Sequence, residues 1–197
     1  MVFNRPTVRG LTAAAGLIAL LLLSPGCIFS PESGNNHKDP TAVPKANSVQ
    51  GAIDLYAWVW TNKDYDRYQQ LLHDEFEYFP QSEDLSQFPW LVGSSWGKTE
   101  ELQMARNMFN PDFQPPPPPS GPAAGSIDTI KMTVTVTNQV NDPQRGGVVV
   151  STHAVAQVMY DSSNGASSDV RFEFLVVPDP HNGGLYQVRE QRELPLH

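Results

Sequence analysis

From Asn47 onward the apolar residues recur first at helical and then at strand spacing. Val49, Ala52, Ile53, Tyr56 and Trp60 fall three, one, three and four positions apart, one stripe of an amphipathic helix. Asn47 is placed to cap it, with Gln50 as the capping-box partner. "TNKD" interrupts the stripe, and Asp64 can cap a second, short helix bearing Tyr65, Tyr68, Leu71 and Leu72. "EFEYF" then alternates as a strand and stops at Pro80. After a loop, a third helix is predicted near Lys98 to Phe109, capped by Gly97 or Ser95, with Leu102, Ala105, Met108 and Phe109 on its apolar face.

The run "NPDFQPPPPPSGPAAG" can be neither helix nor central strand, because proline lacks the N–H that both need. It reads as a stiff extended loop or as a ligand for an aromatic-lined groove. Four strands follow. In "SIDTIKMTVTVTNQV" the residues Ile130, Met132, Val134 and Val136 share a face. "GGVVVSTHAVAQVMY" is apolar on both faces, as a central strand would be. "SDVRFEFLVV" alternates Val170, Phe172, Phe174 and Val176 against Asp169, Arg171 and Glu173, and "LYQVREQREL" closes the set. Helices first and strands after predict an α+β domain, three N-terminal helices packed on a curved antiparallel sheet.

Ahead of the domain, Arg5 and Arg9 precede the uncharged run "LTAAAGLIALLLL" and then "SPGC". A basic start, a short apolar core and small residues before a break are the layout of a secretory signal. The run is too short to cross a hydrocarbon layer of about 30 Å as a helix. Gly26 and Cys27 resemble the lipobox of bacterial lipoproteins, although Ser24 stands where that motif usually has Leu. The resemblance implies a signal peptide over 1–26 and lipidation (palmitate among the chains) at Cys27, and the Pro-, Ser-, Asn- and Gly-rich stretch that follows, with no apolar period, reads as a flexible tether over 27–46. With Ile28 rather than Asp after the cysteine, it also implies a bacterial envelope protein on the outer membrane facing the periplasm. One acyl chain holds weakly and two or more hold firmly.

Composition narrows the partners. The net charge is −8, and loss of Arg5 and Arg9 with the signal takes it to −10. Such a chain offers no basic patch for nucleic acid. Anionic lipid would repel it too, which leaves the lipid on Cys27 to hold it at the membrane. With a single cysteine there can be no disulfide within the chain. No zinc-like Cys/His spacing is visible, so no metal and no cofactor is expected.

The sequence "TNKDYDRYQQLLHDEFEYF", the later helix "WGKTEELQMARNMF" and the closing strand "LYQVREQREL" together resemble the nuclear transport factor 2-like superfamily, including its SnoaL-like members. The shared phrase is a helix, a turn with Asp64, then Leu71, Leu72, Asp74 and Glu75, and the likeness runs over about 47–194 within a domain at 47–197. It implies a cone-shaped scaffold that serves isomerases, dehydratases, binders and assembly modules. Against the ketosteroid isomerase branch, Tyr56 falls on the family's tyrosine, Pro80 on the position of the base, and the second acid near Phe172. With proline in place of the base, that activity is not expected and no catalytic residue is assigned.

His73 beside Asp74 and Glu75 reads either as a tuned acid–base pair or as the charged end of a helix. The candidate pocket is Tyr56, Trp60, Tyr78, Trp96, Phe172 and His153, although sequence does not decide which way His153 faces. Three readings follow: a lipid-anchored domain that binds a small apolar ligand, a scaffold that takes a protein partner or forms a homodimer, and a SnoaL-like isomerase or dehydratase with a non-standard site. Binder or scaffold ranks above enzyme.

Overall fold

The computed structural model describes residues 42–88, 91, 93–113, 127–160 and 164–195. The expected signal, Cys27, most of the tether, Trp90 and the proline run at 115–119 lie outside the described residues.

Helix α1 is Val49–Asn62, and its cap is Ser48 rather than Asn47. Ser48 Oγ accepts the Gly51 N–H at 3.0 Å, while Gln50 turns along the helix and donates to Asp54 Oδ1 at 2.9 Å. Lys63 ends α1 in a left-handed conformation, φ 53°. Its ammonium then reaches the carbonyls of Ile127 and Asp128, each at 2.7 Å, and ties the helix end to the entry of the distant third strand. Asp64 caps α2 (Tyr65–Leu71) as the sequence predicts, accepting the Arg67 N–H at 3.0 Å. Strand β1 (Leu72–Phe79) begins with no intervening loop.

His73, Asp74 and Glu75 thus open a strand rather than end a helix. His73 Nδ1 accepts the Glu75 N–H at 3.1 Å, and Asp74 meets Lys98 Nζ at 3.0 Å. After the two-residue β2 (Trp96–Gly97) comes α3 (Lys98–Phe109). Gly97 is its cap residue, and the Glu100 carboxylate accepts the Gly97 N–H at 3.2 Å. Strands β3 (Thr129–Asp142), β4 (Gly147–Met159), β5 (Gly165–Pro178) and β6 (Tyr186–Leu194) complete the domain.

The six strands form one curved sheet in the order β2-β1-β6-β5-β4-β3. The fold is α+β as expected, but the sheet is mixed: β1 and β6 run parallel, with Tyr78 opposite Gln191 and Phe79 opposite Arg192. Antiparallel pairing is imposed only where a hairpin joins two strands. β6 is set antiparallel to β5 by their short connection, whereas β1 takes its direction from α2, more than a hundred residues earlier.

Strand β6 also carries a bulge. Val176 and Leu175 of β5 pair with Val188 and Glu190, so Arg189 is the extra residue. The bulge resets the alternation, and Val188, Gln191 and Glu193 are all buried despite their mixed parity. The core lies between the helices and one sheet face, built on Ile53, Tyr56, Val59, Phe172, Phe174 and Val188. Ala46, assigned to the tether from sequence, is itself buried, and its carbonyl accepts the Tyr186 N–H at 2.7 Å.

Candidate functional site

The helical stripe of α1 delivers Tyr56 and Trp60 to the inner sheet face, one turn apart. Tyr56 meets Tyr68 of α2 edge-on at 6.0 Å between ring centroids and Phe174 of β5 at 5.0 Å. Trp60 meets Tyr68 at 5.4 Å and Phe109 of α3 at 5.1 Å, nearly perpendicular. These edge-to-face contacts place the positive rim of one ring against the negative face of the next. Phe172 continues the cluster along β5, 5.6 Å from Phe174.

Next to the rings lie two buried acids. Glu101, on the first turn of α3, accepts the Tyr68 hydroxyl at 2.5 Å and the Trp96 indole N–H at 2.9 Å, one on each oxygen. Glu193 of β6 accepts the Tyr78 hydroxyl on one oxygen and the Gln81 N–H at 3.4 Å on the other. Tyr78 stacks on Trp96, centroids 4.2 Å apart and planes 17° from parallel, so the two acid clusters adjoin.

Burial pushes the Glu101 carboxyl above the ordinary carboxylate range, while the hydrogen bonds from Tyr68 and Trp96 pull it back. Burial likewise raises Glu193, Tyr78 and the Gln81 N–H oppose it, and Asp84 and Glu101 add to it by repulsion. Tyr56 is held neutral far above its usual range by burial and then by the charge of Glu101.

One buried polar atom in this interior is left without a hydrogen-bond partner, Gln191 Oε1. Gln191 is 1% exposed, so solvent does not serve that oxygen either. It lies among the rings, where the Gln191 amide and the Tyr68 hydroxyl hydrogen-bond the Tyr56 oxygen and the Trp60 indole N–H donates to Tyr68. A buried acceptor left unmade costs about 1–3 kcal/mol, which a donor on a bound molecule would relieve.

Of the residues singled out from sequence, Tyr56, Trp60, Tyr78, Trp96 and Phe172 all lie in this interior. His153 does not join them. It sits on the opposite sheet face between the buried Thr152 and Ala154, and its Nε2 lies 2.5 Å from Asp169 Oδ1, with both side chains about half exposed. Glu101, Gln191 and Glu193 were missed. Glu101 carried a signal, because it stands four residues before Ala105 and seven before Met108, on the apolar stripe. Gln191 and Glu193 carried none, since regular alternation through β6 groups Val188 with Glu190 and Arg192 and leaves them on the other face. Among the described residues no group of three His, Cys, Asp or Glu side chains could hold a metal ion, and no helix is long and apolar enough to cross a membrane.

Helices covering one face of a curved six-stranded sheet, with an interior of aromatics and acids, define a nuclear transport factor 2-like fold. Solved structures carry the same fold. A scytalone dehydratase-like protein from Novosphingobium aromaticivorans matches 76% of this chain and 82% of its own at 8% identity, with a TM-score of 0.52. A nuclear transport factor 2-like protein of unknown function in nutrient uptake from Rhodospirillum rubrum matches 76% and 99% at 13% identity and 0.50. A conserved protein from Planctomyces limnophilus matches 75% and 94% at 12% identity and 0.50. At such identities the likeness establishes the fold and not the activity. No family model matches the sequence, and no curated protein does.

Proposed function

We propose that this chain is an envelope lipoprotein, held by lipid at Cys27, whose domain binds one small, largely apolar ligand without transforming it. The observation that carries the binding reading is the aromatic cluster around Tyr56, Trp60 and Phe172 with the unpartnered Gln191 Oε1 in its midst. The rings supply apolar contact, and Gln191 Oε1 supplies an acceptor. The reading as a binder rather than an enzyme is supported by how the acids are used. Each oxygen of Glu101 and Glu193 already accepts a bond from the protein, which makes them pillars of the interior before they are bases. The anchor is supported by Arg5, Arg9, the apolar run and the Gly26–Cys27 pair.

A SnoaL-like isomerase or dehydratase is the second reading. Glu193 favours it, as a buried acid raised out of its ordinary range whose second oxygen is held by a long 3.4 Å bond.

Native mass spectrometry of the lipidated chain, extracted gently from its own membrane, tests the proposal. Binding predicts a retained small mass that is lost in Gln191→Leu and Trp60→Phe. An empty wild-type protein contradicts it. Membrane retention of Cys27→Ser would refute the anchor separately, and turnover of the retained molecule that stops in Glu193→Gln would favour the enzyme.

A further inference from the structure

The strand register brings three separate stretches of chain to one end of the sheet. Val140 of β3 stands beside Val149, Val149 beside Leu175, and Leu175 beside Glu190. The β3–β4 turn, closed by the pair Asp142 and Gly147, and the β5–β6 turn, closed by Pro178 and Tyr186, therefore lie at the same end. The chain that leads into α1 arrives there as well, since the Ala46 carbonyl accepts the Tyr186 N–H at 2.7 Å. The β4–β5 turn, beyond Met159 and Gly165, lies at the opposite end.

Among the described residues, the large apolar side chains left exposed are Val43, Val140 and Leu185, at 39%, 53% and 40%. Singly such residues need no explanation. Here all three belong to the same end: Val43 just before Ala46, Leu185 next to Tyr186, and Val140 two residues short of the β3–β4 turn. β3 and β6 are three strand spacings apart, about 14 Å. Contacts spread that widely suit a broad surface rather than a small molecule.

Charge singles out the same end. Lys45, Lys98, Arg145, Arg189 and Arg192 stand there against Asp74, Glu75, Asp142, Asp179 and Glu190, a balance of zero in a chain that carries −10 once Arg5 and Arg9 are gone. Several of them are paired: Arg145 with Asp142 at 2.7 Å and Glu190 at 3.2 Å, and Lys98 with Asp74 at 3.0 Å. This end escapes the repulsion that the acidic remainder would meet at anionic lipid.

Resting on the lipid anchor proposed above, we infer that this end of the sheet faces the bilayer, with Val43, Val140 and Leu185 seated in its headgroup region. From Cys27 to Ala42, the first described residue, the chain advances 15 positions. A coil of that length spans about 20 Å on average, whereas β5 alone, with 14 residues, is about 45 Å long. The domain thus meets the membrane with the end that bears Ala42. At the millimolar effective concentration that such a link gives, weak contacts are enough to orient it. The β4–β5 turn then points away from the lipid.

Bimane labels on Val43→Cys, Val140→Cys, Leu185→Cys and Ser167→Cys test this in the full lipidated protein, reconstituted in phosphatidylcholine vesicles with and without nitroxide-bearing lipid. Ser167 is exposed and lies beside the β4–β5 turn. The Cys27 sulfur carries the lipid, so each introduced cysteine is the one free thiol. Seated about 5–10 Å into the headgroup boundary, the first three labels are expected to be quenched about two-fold or more, and the label at Ser167→Cys hardly at all. Val43→Asp combined with Leu185→Asp is expected to abolish most of the quenching at Val140→Cys while the protein still floats with the vesicles.

Equal quenching at all four positions, or none at any, in protein that floats with the vesicles overturns the inference and leaves the anchor standing. Labels shielded from water yet unquenched show that a second copy or another protein covers this end, which overturns it too. Protein that does not float with the vesicles removes the anchor and the inference together.

Discussion

Replacing Glu101 separates its two roles, as hydrogen-bond acceptor and as buried charge. Glu101→Leu keeps roughly the volume but strands the Tyr68 hydroxyl and the Trp96 indole N–H, both buried. At about 1–3 kcal/mol for each stranded donor, the loss should total about 2–6 kcal/mol. Glu101→Gln strands neither group, because its carbonyl can take the Trp96 N–H while its amide donates to the Tyr68 oxygen and the Tyr68 O–H turns to the Tyr56 oxygen. It should stay within about 1 kcal/mol of the wild type at neutral pH.

The pH dependence carries the second role. Burial raises the Glu101 carboxyl above its ordinary value of 4.5. The native state therefore holds its proton to higher pH than the unfolded chain does. Stability is fullest below that ordinary value and falls as pH rises through the folded-state value, by at most about 1.4 kcal/mol per pH unit for each such group. Glu193 adds a fall of the same sign. Asp74, Asp142 and Asp179 shift downward from 3.8, so their contributions are present above that value and fade only in stronger acid. Urea unfolding from pH 5 to 8 should show a declining midpoint in the wild type and a shallower decline in Glu101→Gln. A midpoint that rises over this range, or an identical slope in the variant, would refute the buried-acid reasoning.

Two further outcomes follow from the packing. Lys63→Met removes both bonds to Ile127 and Asp128 and should cost about 2 kcal/mol in urea unfolding, with faster amide exchange at the start of β3. Gly147→Ala would bring a methyl within 2.5 Å of the Val176 carbonyl and should cost about 1–3 kcal/mol in thermal unfolding, since the obstacle is backbone.

Much of this fold is legible along the chain because local signals agree with it. The α1 stripe, the Asp64 cap and the alternation of Val170, Phe172, Phe174 and Val176 each appear where periodicity places them. The parallel pairing of β1 with β6 is not legible, because it joins residues such as Tyr78 and Gln191 that no turn connects. The site divides the same way. Its aromatics follow from apolar spacing, whereas its acids depend on a charged residue sitting on an apolar stripe and on one bulged residue, Arg189. A bulge is set by pairing partners rather than by composition, so alternation fails from that point onward. His153 shows the converse, since an inward or outward histidine on a two-faced apolar strand looks the same until its neighbours are placed.

A high-resolution crystal structure of the protein purified from its native membrane tests the central claim most directly. Density for an organic molecule against the rings of Tyr56 and Trp60, within hydrogen-bond distance of Gln191 Oε1, is the expected result. If Gln191 Oε1 instead bonds to the protein or to ordered water alone, with the aromatic rings closed over it, the interior is a core and not a binding site.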